Sequence, residues 1–301
     1  MIDREPLTAC PLCAAPAASA RRLEKYQKDH LVSCSRCGFN FSLLIPNAED
    51  YERVYGAYNY EAEDAARSEI NIQNERALVE RLMPYKQTGK VLDIAAGAGR
   101  FLVHFRDRGF EPYATEFSEP MCQYLERNGI TTYRGGLFPQ GAPEGAFDVV
   151  VFTEIIEHIN NPLEVLSGIH RLLRPGGCLY LTTPNFDSLE RRIIGPSWGM
   201  LMWPEHITYW TPKHLHRALR GAGFRKRSLK TQNISPYRIV EALQKGRMKG
   251  AVSGVSPQSF SDAAQQKVSG SKLLSLAKSG VNKGLDLTNL GSSIRAFYER
   301  V

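Results

Sequence analysis

Three ionisable side chains lie within one apolar stretch, FTEIIEHINNP at residues 152–162: Glu154, Glu157 and His158. If a helical turn follows the preceding apolar run, positions i, i+3 and i+4 share one face of that turn. Two carboxylates so close repel each other unless a cation or a proton lies between them. Together with an imidazole, they are candidate ligands for a divalent metal, and His206 in the later stretch PEHITYW is a candidate fourth ligand.

Two other interpretations of this stretch stay open. In the first, no metal binds and His158 acts alone as a general base, with Glu157 and Glu154 as its acidic neighbours. In the second, the roles are structural: Glu157 caps backbone amides, His158 packs, and His206 orders the turn that follows it.

Four of the six cysteines form two matched pairs, CPLC and CSRC, separated by twenty residues: Cys10, Cys13, Cys34 and Cys37. Each pair can place two thiolates on one tight turn, and two such turns complete a tetrahedral S4 site for zinc. Four thiolates leave no open position, so this zinc is predicted to be structural. A redox role for the CxxC pairs is the alternative.

A glycine-rich turn follows a short apolar run in KVLDIAAGAGRF, residues 90–101. Gly97 and Gly99 allow a ligand to approach the backbone closely, and the start of a following helix favours polar or anionic groups. An acid, Glu116, ends the next apolar run. Its carboxylate can accept both hydroxyls of a ribose, as in doubly wound nucleotide-binding folds. The pattern predicts a nucleoside-containing cofactor.

The elements around these residues predict an α/β fold. From about residue 68, short apolar runs alternate with amphipathic stretches, which indicates a parallel sheet covered by helices. We expect a zinc ribbon at 1–45, a connector at 46–67 and one large domain at 68–301. The final stretch, 292–301, alternates like a strand and is predicted to return to the main sheet, which makes about 235–290 a basic insertion.

The succession of VLDIAAGAGRF, ATEFS, FDVVVFTEIIEH and LLRPGGCLYLTTPN resembles the class I S-adenosylmethionine-dependent methyltransferases. Within them it is similar to the ubiquinone-pathway O-methyltransferases of the type 11/23 group. The resemblance covers about residues 68–230 and the final strand. It implies a Rossmann-like, doubly wound sheet of seven strands with the last strand antiparallel. It also implies that S-adenosylmethionine binds along the residues Asp93, Ala95, Gly97, Gly99, Glu116, Phe117, Leu137 and Thr153.

Two positions depart from the family pattern. Ala95 replaces the usual first glycine, and GGL at 135–137 replaces the usual acid near the adenine. Adenine is therefore expected to be held by Phe117, Leu137 and backbone groups. A scaffold that has lost the cofactor, or that binds it only for stability, is the non-enzymatic alternative.

The stretch TEIIEH followed by a later histidine is also similar to small-RNA 2′-O-methyltransferases, in which such residues bind Mg²⁺, and the ubiquinone-pathway enzymes share its Glu-x-x-Glu-His part. This resemblance implies Mg²⁺ or Mn²⁺ bound by Glu154, Glu157, His158 and His206. Such a metal would lower the pKa of a substrate hydroxyl.

The chain has 301 residues and a net charge of +7, and residues 151–301 contain ten acidic and 21 basic side chains. The basic half favours an anionic partner or is simply a solvated surface. No apolar run approaches the length of a membrane helix and the start has no signal-peptide core, so we expect a cytoplasmic protein.

The predicted function is O-methylation of a small-molecule or glycan- or lipid-linked acceptor. A zinc ribbon is also found in sugar C-methyltransferases. Those enzymes carry a further large C-terminal domain, whereas this chain has only the insertion at about 235–290, which argues against C-methylation. An RNA methyltransferase that uses the zinc ribbon for substrate recognition is the alternative. A lysine-rich amphipathic stretch at 267–285 favours a lid or a homodimer contact, with a helix on a membrane surface as the alternative.

Overall fold

The computed structural model describes residues 6–47, 49–50, 69–234, 239 and 283–301. Its Cα positions divide into two compact units. The first unit comprises Met1–Tyr51, Thr183–His214 and Lys230–Arg295, and the second comprises Glu52–Thr182, Leu215–Leu229 and Ala296–Val301. Most of the predicted connector and insertion lies outside the described residues, as does nearly all of the stretch 267–285.

The first unit contains a small four-stranded sheet. Its strands are β1 (Arg21–Arg22), β2 (Leu31–Ser33), β3 (Asn40–Ser42) and β9 (Thr208–Tyr209), each antiparallel to its neighbour. The strands β2 and β3 form a hairpin that contains the second cysteine pair, Cys34 and Cys37. The fourth strand comes from a distant part of the chain, because Asn40 pairs with Tyr209 and Phe41 with Thr208.

The large sheet has seven strands in the order β10-β11-β8-β7-β4-β5-β6. Five of them pair in parallel, and the last strand along the chain is antiparallel, which confirms the predicted fold class. Their bounds are β4 (Gly89–Ile94), β5 (Phe110–Glu116), β6 (Thr131–Arg134), β7 (Phe147–Thr153), β8 (Leu173–Pro184), β10 (Phe224–Gln232) and β11 (Ser293–Arg300).

The described residues include six α-helices with assigned bounds. They are α1 (Glu69–Leu82), α2 (Arg100–Arg106), α3 (Glu119–Arg127), α4 (Pro162–Leu172), α5 (Leu189–Ile194) and α6 (Pro212–Gly221). Residues 283–288 form a further helical segment. In the part of the chain that the structure describes, no helix is both long and apolar enough to cross a membrane.

The strand β7 is almost entirely apolar because it lies in the core of the second unit. Phe147–Phe152 is buried throughout, as expected for a central parallel strand that helices cover on both faces. Val149 and Val151 pack with Leu102 and Phe105 of α2. This core holds β4 and β7 in place, and several candidate site residues come directly after these two strands in the sequence.

The boundary between helix and strand falls inside the stretch LEVLSGIHRLLRPGG, residues 163–177: α4 ends at Leu172 and β8 begins at Leu173. Leu173 is fully buried opposite Phe147, so it has already joined the sheet. Pro175 cannot continue a helix, and Gly176 has a φ of 70°.

Candidate active site

The turn between β4 and α2 has three residues in the left-handed region. Ala95, Gly97 and Gly99 have φ angles of 55°, 55° and 65°. At Gly99 a Cβ would lie 2.5 Å from Cδ2 of Leu125, so the buried leucine side chain would have to move to accommodate a larger residue. The predicted glycines therefore do shape the turn. Ala95 adopts the same region although it carries a side chain, which the sequence did not indicate.

Three consecutive backbone N–H groups of this turn donate to the end of β5. The Ala95 N–H donates to Oγ1 of Thr115 over 3.0 Å, and the Ala96 N–H to the Thr115 carbonyl over 3.0 Å. The Gly97 N–H donates to Oε2 of Glu116 over 2.8 Å. The turn is thus fastened to the two residues that end the neighbouring strand.

Glu116 is mostly buried and its carboxylate already accepts several hydrogen bonds. In addition to the Gly97 bond, Oε1 accepts the N–H groups of Phe117 at 2.9 Å and Ser118 at 2.8 Å. An ionised carboxylate offers about four acceptor positions. One position on Oε2 is therefore left for a ligand hydroxyl, and a second hydroxyl would have to replace one of the backbone donors.

Asp93 lies in β4 and is 3% exposed. Burial, together with the negative charge of Glu116, raises the pKa of Asp93 to about 8. The carboxyl therefore holds a proton at neutral pH in this structure. A cationic ligand bound nearby would favour its ionised form.

Phe117 and Leu137 were predicted to contact an adenine. The Phe117 side chain is 86% exposed, so its ring is available to stack against a planar ligand. Leu137 follows the left-handed glycines Gly135 and Gly136, and its carbonyl accepts a 3.4 Å hydrogen bond from Oγ1 of Thr115. Thr153 is half-buried and ends β7.

The stretch after β7 does not form the predicted continuous helical face. Glu154 is exposed and has a φ of 54°, and its N–H donates to the carbonyl of Thr182 over 3.0 Å. The helical turn spans only Ile156–His158. The expectation that Glu154 shares a face with Glu157 and His158 is therefore wrong, because the left-handed residue ends the strand before the turn begins.

Glu157 and His158 lie within that single turn. The Glu157 side chain is 3% exposed, the His158 side chain is 16% exposed, and His158 Nε2 is 4.0 Å from Glu157 Oε1. Ile156 between the strand and this pair is fully buried. A half-buried imidazole beside a buried carboxylate is a suitable arrangement for a general base.

His206 belongs to the first unit and is buried there. Burial lowers its pKa, although a 2.9 Å hydrogen bond between Nδ1 and the carbonyl of Met200 acts in the opposite direction. That bond places the proton on Nδ1 of the neutral imidazole, so Nε2 is the deprotonated nitrogen. The role of His206 as a metal ligand remains a prediction.

The four predicted zinc ligands converge in the first unit. The sulfur atoms of Cys10, Cys13, Cys34 and Cys37 all lie within 4.8 Å of one another. The Cys10 and Cys37 sulfurs are 3.7 Å apart, and the Cys13 and Cys34 sulfurs are 3.6 Å apart.

The two cysteine turns have the same backbone design. The N–H groups of Ala14 and Gly38, each directly after a pair, donate over 2.9 Å to the carbonyls of Cys10 and Cys34. Both Ala14 and Gly38 are left-handed, with φ angles of 56° and 76°. Burial acts to raise the pKa of Cys34, but backbone N–H groups of Cys37 and Arg36 and the neighbouring thiols lower it to about 7.

The match with a family model decides the assignment of the large domain. Residues 67–229, more than half of the chain, match a family described as methyltransferase domain. The chain belongs to this family. The predicted class I S-adenosylmethionine-dependent methyltransferase fold is thereby confirmed.

Curated relatives are similar over part of this methyltransferase. A protein of Cereibacter sphaeroides named ubiquinone biosynthesis O-methyltransferase is 31% identical over 146 residues, which cover 44% of this chain and 59% of the relative. A protein of the same name from Pseudomonas aeruginosa is 30% identical over 154 residues, 48% of this chain and 66% of the relative. The chain thus spans less than two thirds of these relatives.

Solved structures share the fold. A SAM-dependent methyltransferase from Archaeoglobus fulgidus superposes with a TM-score of 0.50 at 18% identity, and it covers 76% of this chain and 94% of its own. None of these three proteins is named as acting on RNA.

Sequence reasoning missed Thr115 and Ser118 as parts of this site. Thr115 precedes the predicted acid and reads as an ordinary strand former, so only its hydrogen bonds to Ala95 and Leu137 identify it. Ser118 reads as a helix N-cap before α3, but its N–H holds Glu116. A polar residue directly before the acid, at the end of the apolar run, was the available signal.

The raised pKa of Asp93 predicts how the stability of the cofactor-free methyltransferase depends on pH. Because the folded-state pKa of about 8 exceeds the value near 3.9 of an unfolded aspartate, stability falls as pH rises from about 4 to 8. Asp93→Asn removes this loss. The loss amounts to about 3–4 kcal/mol between pH 5 and pH 8. The melting temperature of the variant relative to the parent should therefore rise by about 5–15 °C over this range, as measured by scanning calorimetry.

The exposed Asp107→Asn provides the matched control, and its melting temperature relative to the parent should stay constant with pH. A constant difference for Asp93→Asn over the same range would contradict the assignment of a buried proton to Asp93.

Proposed function

We propose that this chain transfers a methyl group from S-adenosylmethionine to a small-molecule acceptor, with oxygen as the preferred receiving atom. The observation that carries the proposal is the turn 95–97, whose N–H groups are fastened to Thr115 and Glu116 beside a buried Asp93. Such a turn lies at the carboxyl ends of parallel strands, where open α/β sheets bind nucleotides.

The cofactor would be held by groups with separate tasks. Asp93 would face the positively charged part of S-adenosylmethionine, Glu116 would bind the ribose, and Phe117 with Leu137 would contact the adenine. The rest of the cofactor site would be lined by Ala95, Gly97, Gly99 and Thr153. The bound cofactor supplies an electrophilic methyl group, and the protein orients it towards the acceptor.

Oxygen is preferred as the receiving atom for two reasons. The curated relatives are named O-methyltransferases, although the similarity covers only part of their length. In addition, His158 is only partly exposed, beside the buried Glu157, and can accept the proton that a hydroxyl loses. A small anionic acceptor would also suit the basic half of the chain.

A divalent metal is a further proposal at the same stretch. Two ligands about 2.1 Å from one ion can be at most about 4.2 Å apart, so the 4.0 Å between His158 Nε2 and Glu157 Oε1 fits a shared Mg²⁺ or Mn²⁺. Glu154 and His206 remain candidate ligands. When bound, the metal would lower the pKa of an acceptor hydroxyl.

Structural zinc is proposed for the cysteine cluster. A tetrahedral site with zinc–sulfur bonds of about 2.3 Å places its sulfurs about 3.8 Å apart. The separations of 3.6 and 3.7 Å support such a site at Cys10, Cys13, Cys34 and Cys37. Cytoplasmic localisation and a homodimer remain expectations of the same kind.

Glu116→Gln should weaken binding of S-adenosylhomocysteine by about 10- to 100-fold. The amide nitrogen cannot accept a hydrogen bond, so one backbone donor or one ribose hydroxyl loses its charged acceptor, which costs about 1.5–3 kcal/mol. Isothermal titration calorimetry measures this change. Glu119→Gln, exposed at the start of α3, is the matched control and should bind like the parent. Unchanged affinity in Glu116→Gln would contradict the ribose role.

Calorimetric titration of Mg²⁺ and Mn²⁺ into zinc-loaded protein saturated with S-adenosylhomocysteine tests the metal proposal. We expect binding in the parent that Glu157→Ala and His158→Ala both abolish, because each removes one ligand. Glu164→Ala, in the first turn of α4, should bind as the parent does. Absence of binding in the parent would contradict a metal in the substrate-free enzyme and would favour His158 as a metal-free base.

The zinc proposal predicts about one zinc per purified chain by elemental analysis. A Cys34→Ser/Cys37→Ser variant should lose the metal and melt at a lower temperature, because two of four ligands are removed. Cys178→Ala, which changes a buried cysteine of the second unit, should retain the metal. Zinc-free parent protein with a disulfide in either pair would instead favour the redox alternative.

A further inference from the structure

The hydroxyl of Thr115 connects two loops of the second unit. Thr115 is fully buried, and its Oγ1 accepts the N–H of Ala95 over 3.0 Å. The same hydroxyl donates to the carbonyl of Leu137 over 3.4 Å. One side chain therefore contacts both the turn after β4 and the loop after β6.

The residue that Thr115 holds has an unusual backbone conformation. Ala95 has a φ of 55°, a region that glycine adopts freely but in which the Cβ of any other L-residue is crowded. Unlike Gly97 and Gly99, it therefore needs support from its surroundings. The hydrogen bond to Thr115 opposes rotation of the Ala95 N–H out of this conformation.

The neighbouring contacts show why rotation at Ala95 would matter. The next two N–H groups, of Ala96 and Gly97, donate to the Thr115 carbonyl and to Glu116. A rotation of the backbone at Ala95 would point both of these N–H groups away from their acceptors. The conformation of Ala95 thus sets the position of the whole turn relative to the Glu116 carboxylate.

We propose that Thr115 is a positioning residue for the cofactor, whose hydroxyl keeps Ala95 left-handed and holds the Leu137 loop against the same turn. This inference rests on the proposed binding of S-adenosylmethionine. Thr115 itself would not touch the reacting atoms. The competing explanation is that a threonine here merely fills a buried strand, a role that valine would serve equally well.

Thr115→Val and Thr115→Ser separate these two explanations. Valine keeps the shape and the strand preference but removes the hydroxyl, whereas serine keeps the hydroxyl. We expect Thr115→Val to bind S-adenosylhomocysteine about tenfold more weakly in isothermal titration calorimetry, and Thr115→Ser to bind within about threefold of the parent. Equal affinities for Thr115→Val and the parent would overturn the inference.

A second background tests the link to Ala95. Ala95→Gly removes the crowding, so the turn no longer depends on Thr115 to stay left-handed. The loss of affinity caused by Thr115→Val should then be clearly smaller in the Ala95→Gly background than in the parent. An equal loss in both backgrounds would show that the hydroxyl does not act through Ala95.

Hydrogen–deuterium exchange provides a readout that needs no cofactor. Exchange at the amides of residues 95–97 should be faster in Thr115→Val than in the parent and in Thr115→Ser, with peptides from α4 as the internal control. If the parent fails to bind S-adenosylhomocysteine, the proposed function fails, while the exchange result still tests the positioning role. Unchanged exchange at 95–97 would overturn it. Should Thr115→Val not fold, Thr115→Ala takes its place in each measurement.

Discussion

The hydrogen bonds between the turn 95–97 and the end of β5 are the constraint on which the candidate cofactor site depends. The three consecutive N–H groups can all donate to the end of β5 because Ala95 and Gly97 are left-handed. Their acceptors, in Thr115 and Glu116, are available because β4 and β5 run parallel and end at the same edge. The fold therefore supplies both the N–H donors and the end of the strand that carries their acceptors, and the hydroxyl of Thr115 completes the set of acceptors.

This arrangement brings two acids into a region from which water is largely excluded. Glu116 stays compatible with burial because three backbone N–H groups surround its carboxylate. For Asp93, burial and the charge of Glu116 raise the pKa, so the carboxyl retains a proton. Asp93 thus stays neutral until a cationic ligand binds and favours its ionised form, which is the electrostatic property expected of a pocket for a sulfonium cofactor.

Most of the sheet could be predicted because alternation of apolar runs and amphipathic stretches depends on local composition. The features that sequence did not predict depend on partners far along the chain. β9 pairs with β3 although more than 160 residues separate them, and β8 begins at Leu173 because Phe147 lies opposite. The left-handed conformations of Ala95 and Glu154 likewise follow from tertiary contacts, since neither residue type favours that region.

The left-handed Glu154 also decides which residues after β7 can act together. With its N–H bonded to the Thr182 carbonyl, Glu154 ends the strand outside the helical turn, and the chain re-enters the core at Ile156. The exposed Glu154 is therefore separated in environment from the buried Glu157, although only three positions apart. An exposed carboxylate is solvated by water, whereas a buried carboxylate depends on its protein neighbours, here the imidazole of His158. For that reason His158 and Glu157, rather than Glu154, carry the proposed proton transfer.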